Sequence, residues 1–217
     1  MRGLLITFEG IEGSGKTTQA YRLSLGLSAY EPGTVLTREP GGSTVAEQIR
    51  QLVLAKGAEP IDPRTEVLLF LAARTQHVEN KIRPALEYGK IVVCDRFTDA
   101  TLAYQGGGRT IKDEFLRALN AWATGGIRPD RTFLLDLPVE VGLARIRGRA
   151  GGEPPDRLES EGIAFHEAVR ARYLDLAHQE PERIKVLRGT DSQEALAHQI
   201  KDDVNRILSG RISSAQR

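Results

Sequence analysis

Residues Phe8-Glu9-Gly10-Ile11-Glu12-Gly13-Ser14-Gly15-Lys16-Thr17-Thr18 constrain the fold more than any other stretch of the chain. An apolar run from Leu4 to Phe8 predicts a short strand, and helix-forming sequence follows Thr17. Between them Gly10 to Thr17 fit G-x-x-x-x-G-K-[ST], the pattern of a phosphate-binding loop in the context that pattern requires. Glycines let the backbone curl so that successive N–H groups point into one concavity, which opens onto a helix N-terminus where unpaired N–H groups and the helix dipole favour anions. Lys16 is placed to reach the β- and γ-phosphates, and the Thr17 hydroxyl to ligate Mg²⁺. The remaining loop positions, Ile11, Glu12, Gly13, Ser14 and Gly15, with Thr18 just beyond, complete the expected cradle for a nucleoside triphosphate.

At 217 residues the chain predicts one α/β domain. Apolar strands are expected at 3–8, 34–37, 90–94, 131–136 and 183–187. Helices are expected near 15–28, 43–56, 63–87, 98–105, 110–123, 139–148, 160–179 and 192–208. Helices between all the strands predict a doubly wound, five-stranded parallel sheet covered on both faces. Asp62-Pro63 reads as a helix start, with Asp as N-cap and Pro in the first turn, and Pro84 is expected to kink or end that helix. Domain 1–208 would then carry a breaker-rich loop over 148–157 and a polar, frayed tail over 209–217.

Composition narrows the function. Lys and Arg number 30 against 29 Asp and Glu, so there is no basic field for a nucleic-acid polymer and any phosphate affinity must be local. The lone Cys94 rules out an internal disulfide and suits a reducing compartment. No apolar run is long enough to span a membrane, and the reading is a cytoplasmic protein.

A phosphate loop alone does not separate motors, switches and kinases. Thr37-Arg38-Glu39-Pro40-Gly41-Gly42 follows the second strand, so Arg38 leaves the sheet at the edge where ligands gather, and its guanidinium fork suits a phosphate; the competing reading is a loop arginine in a surface ion pair. In Phe70-Leu71-Ala72-Ala73-Arg74 the i,i+4 spacing puts an aromatic ring and a guanidinium on one helix face, where a planar base could stack and be hydrogen-bonded. The competing reading of Phe70 is a core residue. Asp95-Arg96-Phe97 follows a third strand; Asp95 suits a Mg²⁺-bound water and Arg96 the space between two phosphates, with Asp136 a lower-ranked rival acid. Tyr104-Gln105-Gly106-Gly107-Gly108-Arg109 offers an amide for a base edge and glycines for close backbone approach. Arg145-Ile146-Arg147-Gly148-Arg149, with Arg157 beyond, has the charge of a lid closing over a migrating phosphoryl group.

Together these motifs resemble the thymidylate kinase family, enzymes that phosphorylate dTMP to dTDP with ATP and Mg²⁺ on the way to dTTP. The likeness runs through nearly the whole chain, including Ala171-Arg172-Tyr173-Leu174. It implies the fold of the P-loop nucleoside monophosphate kinases and a homodimer formed through helices. It also implies that Phe70 stacks on thymine, that Arg74 bonds O4, and that Thr101 and Gln105 meet the pyrimidine edge. Tyr104 would crowd the 2′ position, Glu12 hold the 3′-hydroxyl, and Arg38 and Arg96 orient the acceptor phosphate. Adenine would lie near Arg188-Gly189-Thr190-Asp191, with Arg145 on the donor side. With no base among the variable P-loop positions, catalytic charge is expected in the lid, as in the bacterial type, with Arg149 the first choice. Phe97 departs from the family's usual Tyr or His, and the lid sequence Gly151-Gly152-Glu153-Pro154-Pro155 is looser than the family's. Another P-loop nucleotide or nucleoside kinase, or a P-loop ATPase switch, are the alternatives. Arginines for an anionic acceptor favour a monophosphate kinase over a nucleoside kinase.

Overall fold

In a computed structural model, which describes residues 2–57, 59–148 and 154–215 (the side chains of 212–215 excepted), five strands form one parallel sheet. They are β1 (Leu4–Glu9), β2 (Thr34–Arg38), β3 (Ile91–Asp95), β4 (Arg131–Asp136) and β5 (Ile184–Arg188), in the order β2-β3-β1-β4-β5. The central β1 is buried along its whole length, as a strand covered on both faces must be. Leu4, Ile6 and Phe8 face α1 (Lys16–Gly26), which packs beside the C-terminal helix. Leu5 and Thr7 face the remaining helices: α2 (Thr44–Leu54), α3 (Pro63–His77), α4 (Arg83–Glu87), α5 (Thr98–Thr101), α6 (Asp113–Thr124), α7 (Val139–Arg147) and α8 (Ile163–Gln179). The register pairs Phe8 and Arg38 with Asp95, which aligns the ends of β1, β2 and β3 on one edge.

Three expected boundaries differ from the structure. Asp62 does cap α3, accepting from the Arg64 N–H at 2.9 Å with Pro63 behind it. Pro84, however, does not end the run. A π-helical turn, Val78–Ile82, precedes it, with the Arg83 N–H reaching back to Val78 O. Pro84 therefore enters α4 in its first turn, where a missing N–H costs nothing. The helix expected over 98–105 is α5 followed by a second π-helical stretch, Leu102–Gly108. The last helix, α9 (Gln193–Ala215), passes Leu208, so the segment from Ser209 to Ala215 is helical rather than frayed. Arg211 holds it down by donating to Gly3 O and, at 2.7 Å, to Asp130 Oδ1.

Candidate active site

The phosphate loop forms because β1 ends at a residue that can turn where others cannot. Gly10 has φ +137°, and a Cβ there would lie 2.5 Å from Leu135 O. Gly13 and Gly142, the latter on α7, approach backbone to backbone, and a Cβ on Gly142 would lie 2.5 Å from Glu12 O. Inside the loop Lys16 Nζ donates to Ile11 O at 2.7 Å and Ser14 Oγ at 3.3 Å. Burial, and then the nearby Arg96 charge, bring the Lys16 pKa down to about 8, so a phosphate placed here restores a full cation. The Thr17 hydroxyl donates to Asp95 Oδ2, joining the first turn of α1 to the end of β3. Ile11 and Ser14 are buried, while Thr18 is exposed on α1.

Arg96 is the centre of the site. It holds φ +68°, a left-handed conformation that costs a non-glycine residue energy and is retained here because its N–H donates to Phe8 O at 2.9 Å. Its guanidinium donates to Gly10 O, Tyr173 Oη, Tyr104 Oη and Glu12 Oε1, and lies 4.8 Å over the Tyr104 ring. Two buried carboxylates flank this cation with opposite outcomes. Burial works to raise the Glu12 pKa, yet Arg96, His166, Lys16 and Tyr104 take it well below the usual carboxylate range. Glu9 accepts from the Phe97 N–H and the Tyr173 hydroxyl, both at 2.7 Å; burial, followed by the charge of Asp99, pushes it up to about 8. Behind Glu12 the buried His166 puts Nδ1 3.3 Å from Oε2.

The far end is made from side chains on separate elements. Phe70 is half-buried, packed against the core, and also lines the cavity. Arg74 is buried and heavily engaged. Nε donates to Glu39 Oε2 at 2.7 Å, one terminal nitrogen to Thr101 Oγ1 and Asn120 Oδ1, and the other to Phe97 O at 2.9 Å. Of its five N–H groups, four are spent and one is left, and Arg74 is among the residues lining the cavity. The Gln105 amide donates to the buried Glu66 at 2.9 Å. The π-helical stretch brings Tyr104 and Gln105 inward, and its glycines allow the approach foreseen: a Cβ at Gly107 would lie 2.8 Å from Arg172 Cβ. Phe97 sits wholly in an apolar cluster, with Arg74 5.5 Å over its ring, so a phenylalanine satisfies that position.

Arg38 extends from β2 over the cavity and donates to Glu47 Oε2 at 2.9 Å, while Glu47 Oε1 accepts from the Gly42 N–H at 2.8 Å. Beside them Arg50 donates to Pro40 O and also lines the cavity. Sequence reasoning missed Arg50, although its spacing of three from Glu47 on α2 puts both on one helix face after the Arg38 loop. It also gave no role to Glu39, His77, Tyr173 or Asn120, whose importance lies in contacts far along the chain.

The expected lid arginines divide. Arg145 donates to Gly13 O at 3.1 Å and Gly189 O at 3.3 Å, bridging the phosphate loop and the turn after β5. Arg147 is exposed at the end of α7. Arg157 is not a lid cation in this structure: it donates to Val53 O and pairs with Glu66 at 2.6 Å. Arg149 and the segment Gly151-Gly152-Glu153 lie outside the described residues. The rival acid Asp136 is held by Arg170 through two hydrogen bonds, at 2.7 and 3.0 Å, away from Thr17.

Lys16, Thr17, Arg96, Phe70 and Arg74 line one cavity of about 950 Å³, in which Arg96 also reaches back to Gly10 O of the phosphate loop. A phosphate loop and strand-end arginines sharing one cavity beyond a parallel sheet are the arrangement of the P-loop nucleoside monophosphate kinases. The family model for thymidylate kinase matches residues 8–200. The thymidylate kinase of Syntrophotalea carbinolica is 50% identical over 90% of this chain and 92% of its own. That of Pseudomonas putida strain GB-1 is 49% identical over 97% of each. The crystal structure of thymidylate kinase from Ehrlichia chaffeensis superposes with a TM-score of 0.74 at 34% identity, covering 96% of this chain and 99% of that one. The chain belongs to the thymidylate kinase family.

Proposed function

We propose that this chain transfers the γ-phosphoryl group of ATP to dTMP, giving dTDP for dTTP synthesis. The observation that carries the reading is the single cavity that Arg96 lines together with the phosphate loop, Phe70 and Arg74. Lys16 and the loop N–H groups hold the donor phosphates, with Arg145 on the adenine side between Gly13 O and Gly189 O. Arg38, Arg50 and Arg96 hold the acceptor phosphate, so that two anions that repel in water are brought in line by fixed positive charge. Phe70 stacks on thymine, and the remaining Arg74 N–H donates to O4. Thr101 lies at the same edge, and the Gln105 amide, its nitrogen spent on Glu66, presents its carbonyl oxygen to the base N–H. Tyr104 and Glu12, joined to each other and to Arg96, take the sugar.

Thr17 and Asp95 supply two oxygens side by side beneath the phosphate loop, the donor chemistry of a nucleotide-borne Mg²⁺, and these residues would hold it. When bound, the ion neutralises charge on the transferred phosphoryl oxygens. Arg149 is the lid cation we assign to the phosphoryl group. We further propose a homodimer: α3 packs between α2 and α6, and Leu52, Leu68, Phe115 and Trp122 on these helices are exposed apolar side chains that a second copy would cover. No helix among the described residues is long and apolar enough to cross a membrane, and the buried free Cys94 suits the cytoplasm, where we place a kinase domain over 1–208 with a lid over 148–157.

The test is ADP release with ATP and Mg²⁺ across dTMP, dUMP, UMP, CMP, AMP and GMP. Fast turnover on dTMP, slower on dUMP and poor on ribonucleotides is expected. Equal or better turnover on another acceptor would remove the roles given to Phe70, Arg74 and Tyr104, and ATP turnover without any monophosphate would point to a switch.

A further inference from the structure

The carboxylate of Glu39 is buried beside the cavity and touches both of its acceptor-side halves. Oε2 accepts from Arg74 Nε at 2.7 Å, and Oε1 lies 3.0 Å from His77 Nδ1. His77 is itself fully buried, and its Nε2 lies 2.7 Å from Thr37 Oγ1, the residue just before Arg38. One proton position follows from the partners. A carboxylate receiving a guanidinium can only accept, so Nδ1 carries the hydrogen toward Glu39, while Nε2 and the Thr37 hydroxyl share the second hydrogen bond. The same ring packs under the turn at Gly42, where a Cβ would collide with His77 Nε2 and would lie 2.7 Å from Thr37 Oγ1. The Gly42 N–H in turn orients Glu47, the partner of Arg38. One continuous chain therefore runs from Arg74 through Glu39, His77 and Thr37 to the loop that carries Arg38.

We infer that His77 is a positioning residue that fixes the base-facing Arg74 and the acceptor-phosphate loop 37–42 relative to each other, so that the monophosphate is recognised as one rigid object. His77 does not line the cavity. Its effect passes through Glu39 on one side and Thr37 on the other. Buried groups with a single good partner at each end leave no alternative geometry, which is how such a network sets distances between groups it never touches. The inference rests on reading this end of the cavity as the acceptor site.

The experiment measures steady-state constants and thymidine inhibition for His77→Leu, His77→Gln and Thr37→Val. His77→Leu is expected to raise the KM for dTMP about tenfold and to weaken thymidine, which has no phosphate, by a similar factor. The KM for ATP should stay within about twofold, since the phosphate loop is untouched. His77→Gln, which can still donate and accept, should recover part of the loss. Thr37→Val removes one hydroxyl only and should shift the dTMP KM in the same direction, so the test survives if His77→Leu fails to fold. A folded His77→Leu protein with an unchanged dTMP KM would overturn the inference, as would equal rises for dTMP and ATP. If the wild type instead favours another monophosphate, the substrate assignment falls, and the same comparison made with that acceptor still decides the role of His77.

Discussion

At one end of the cavity the phosphate cradle comes from one continuous stretch, Gly10 to Thr17, whose backbone is shaped by glycines. At the acceptor end Arg74 comes from α3, Glu39 from the loop after β2, Thr101 from α5, Gln105 from the π-helical stretch and Asn120 from α6. The first end depends on local conformation and the second on side chains that hold one another. Damage to the two should therefore differ in kind. A change at Lys16 removes chemistry and leaves the side chains around Phe70 and Arg74 in place. A change at the other end alters which acceptor is held, and also strips a buried partner from its neighbours.

The largest contrast is expected for Lys16→Ala, which removes the point charge from the phosphate cradle. ADP release should fall by about a thousandfold or more, with the circular dichroism spectrum unchanged. Near-normal turnover would break the donor-end assignment outright. Arg96→Ala comes next and bridges the two ends. It strips Glu12 of its ion-pair partner, and breaking a mostly buried pair of this kind costs about 3 kcal/mol, so urea unfolding should shift along with the loss of activity. If turnover falls and the urea midpoint does not move, the Glu12 contact is not holding the structure. Arg74→Ala sharpens the comparison from the other side. Titration calorimetry should show dTMP binding weakened about a hundredfold and ATP binding barely changed. Equal losses would make Arg74 a structural residue alone.

The smallest effect concerns Glu9. Its pKa rises from 4.5 to about 8 on folding, through burial and then Asp99. Between those values the unfolded chain has released this proton and the folded chain keeps it, so the Glu9 contribution to stability is complete below about 4.5 and is lost as pH climbs toward about 8. Glu9→Gln, which keeps the shape and cannot ionise, should flatten the fall in melting temperature between pH 5 and 8. An unchanged slope would show that Glu9 is ionised in the native protein.

The same division explains what could be read before any coordinates. The five strands and the phosphate loop were legible because each is written locally, by an apolar run or a glycine pattern. Arg38, Phe70, Arg74 and Arg96 could be singled out by spacing and by position at strand ends, and all four line the cavity. Their partners could not. Nothing near Asn120 or His77 in sequence says that each meets a residue dozens of positions away. The π-helical turns were equally hidden, since Pro84 reads as a breaker unless the wider turn before it is known. Arg157 looked like lid charge because arginines near a loop give no sign of the buried Glu66 that receives one of them.

The contact between Gly13 and Gly142 has a consequence for how sequences of this fold can change. A Cβ on Gly13 would meet the backbone of Gly142, and a Cβ on Gly142 would meet the backbone of Glu12, so the one close approach leaves no room for a side chain at either position. Neither can be replaced first: a methyl on α7 strikes Glu12 O, and a methyl on the loop strikes Gly142 O. Even the simultaneous exchange adds two groups where there is room for none. A random library over these positions should return glycine at both, and a designer wishing to place a side chain at position 13 must first move the start of α7.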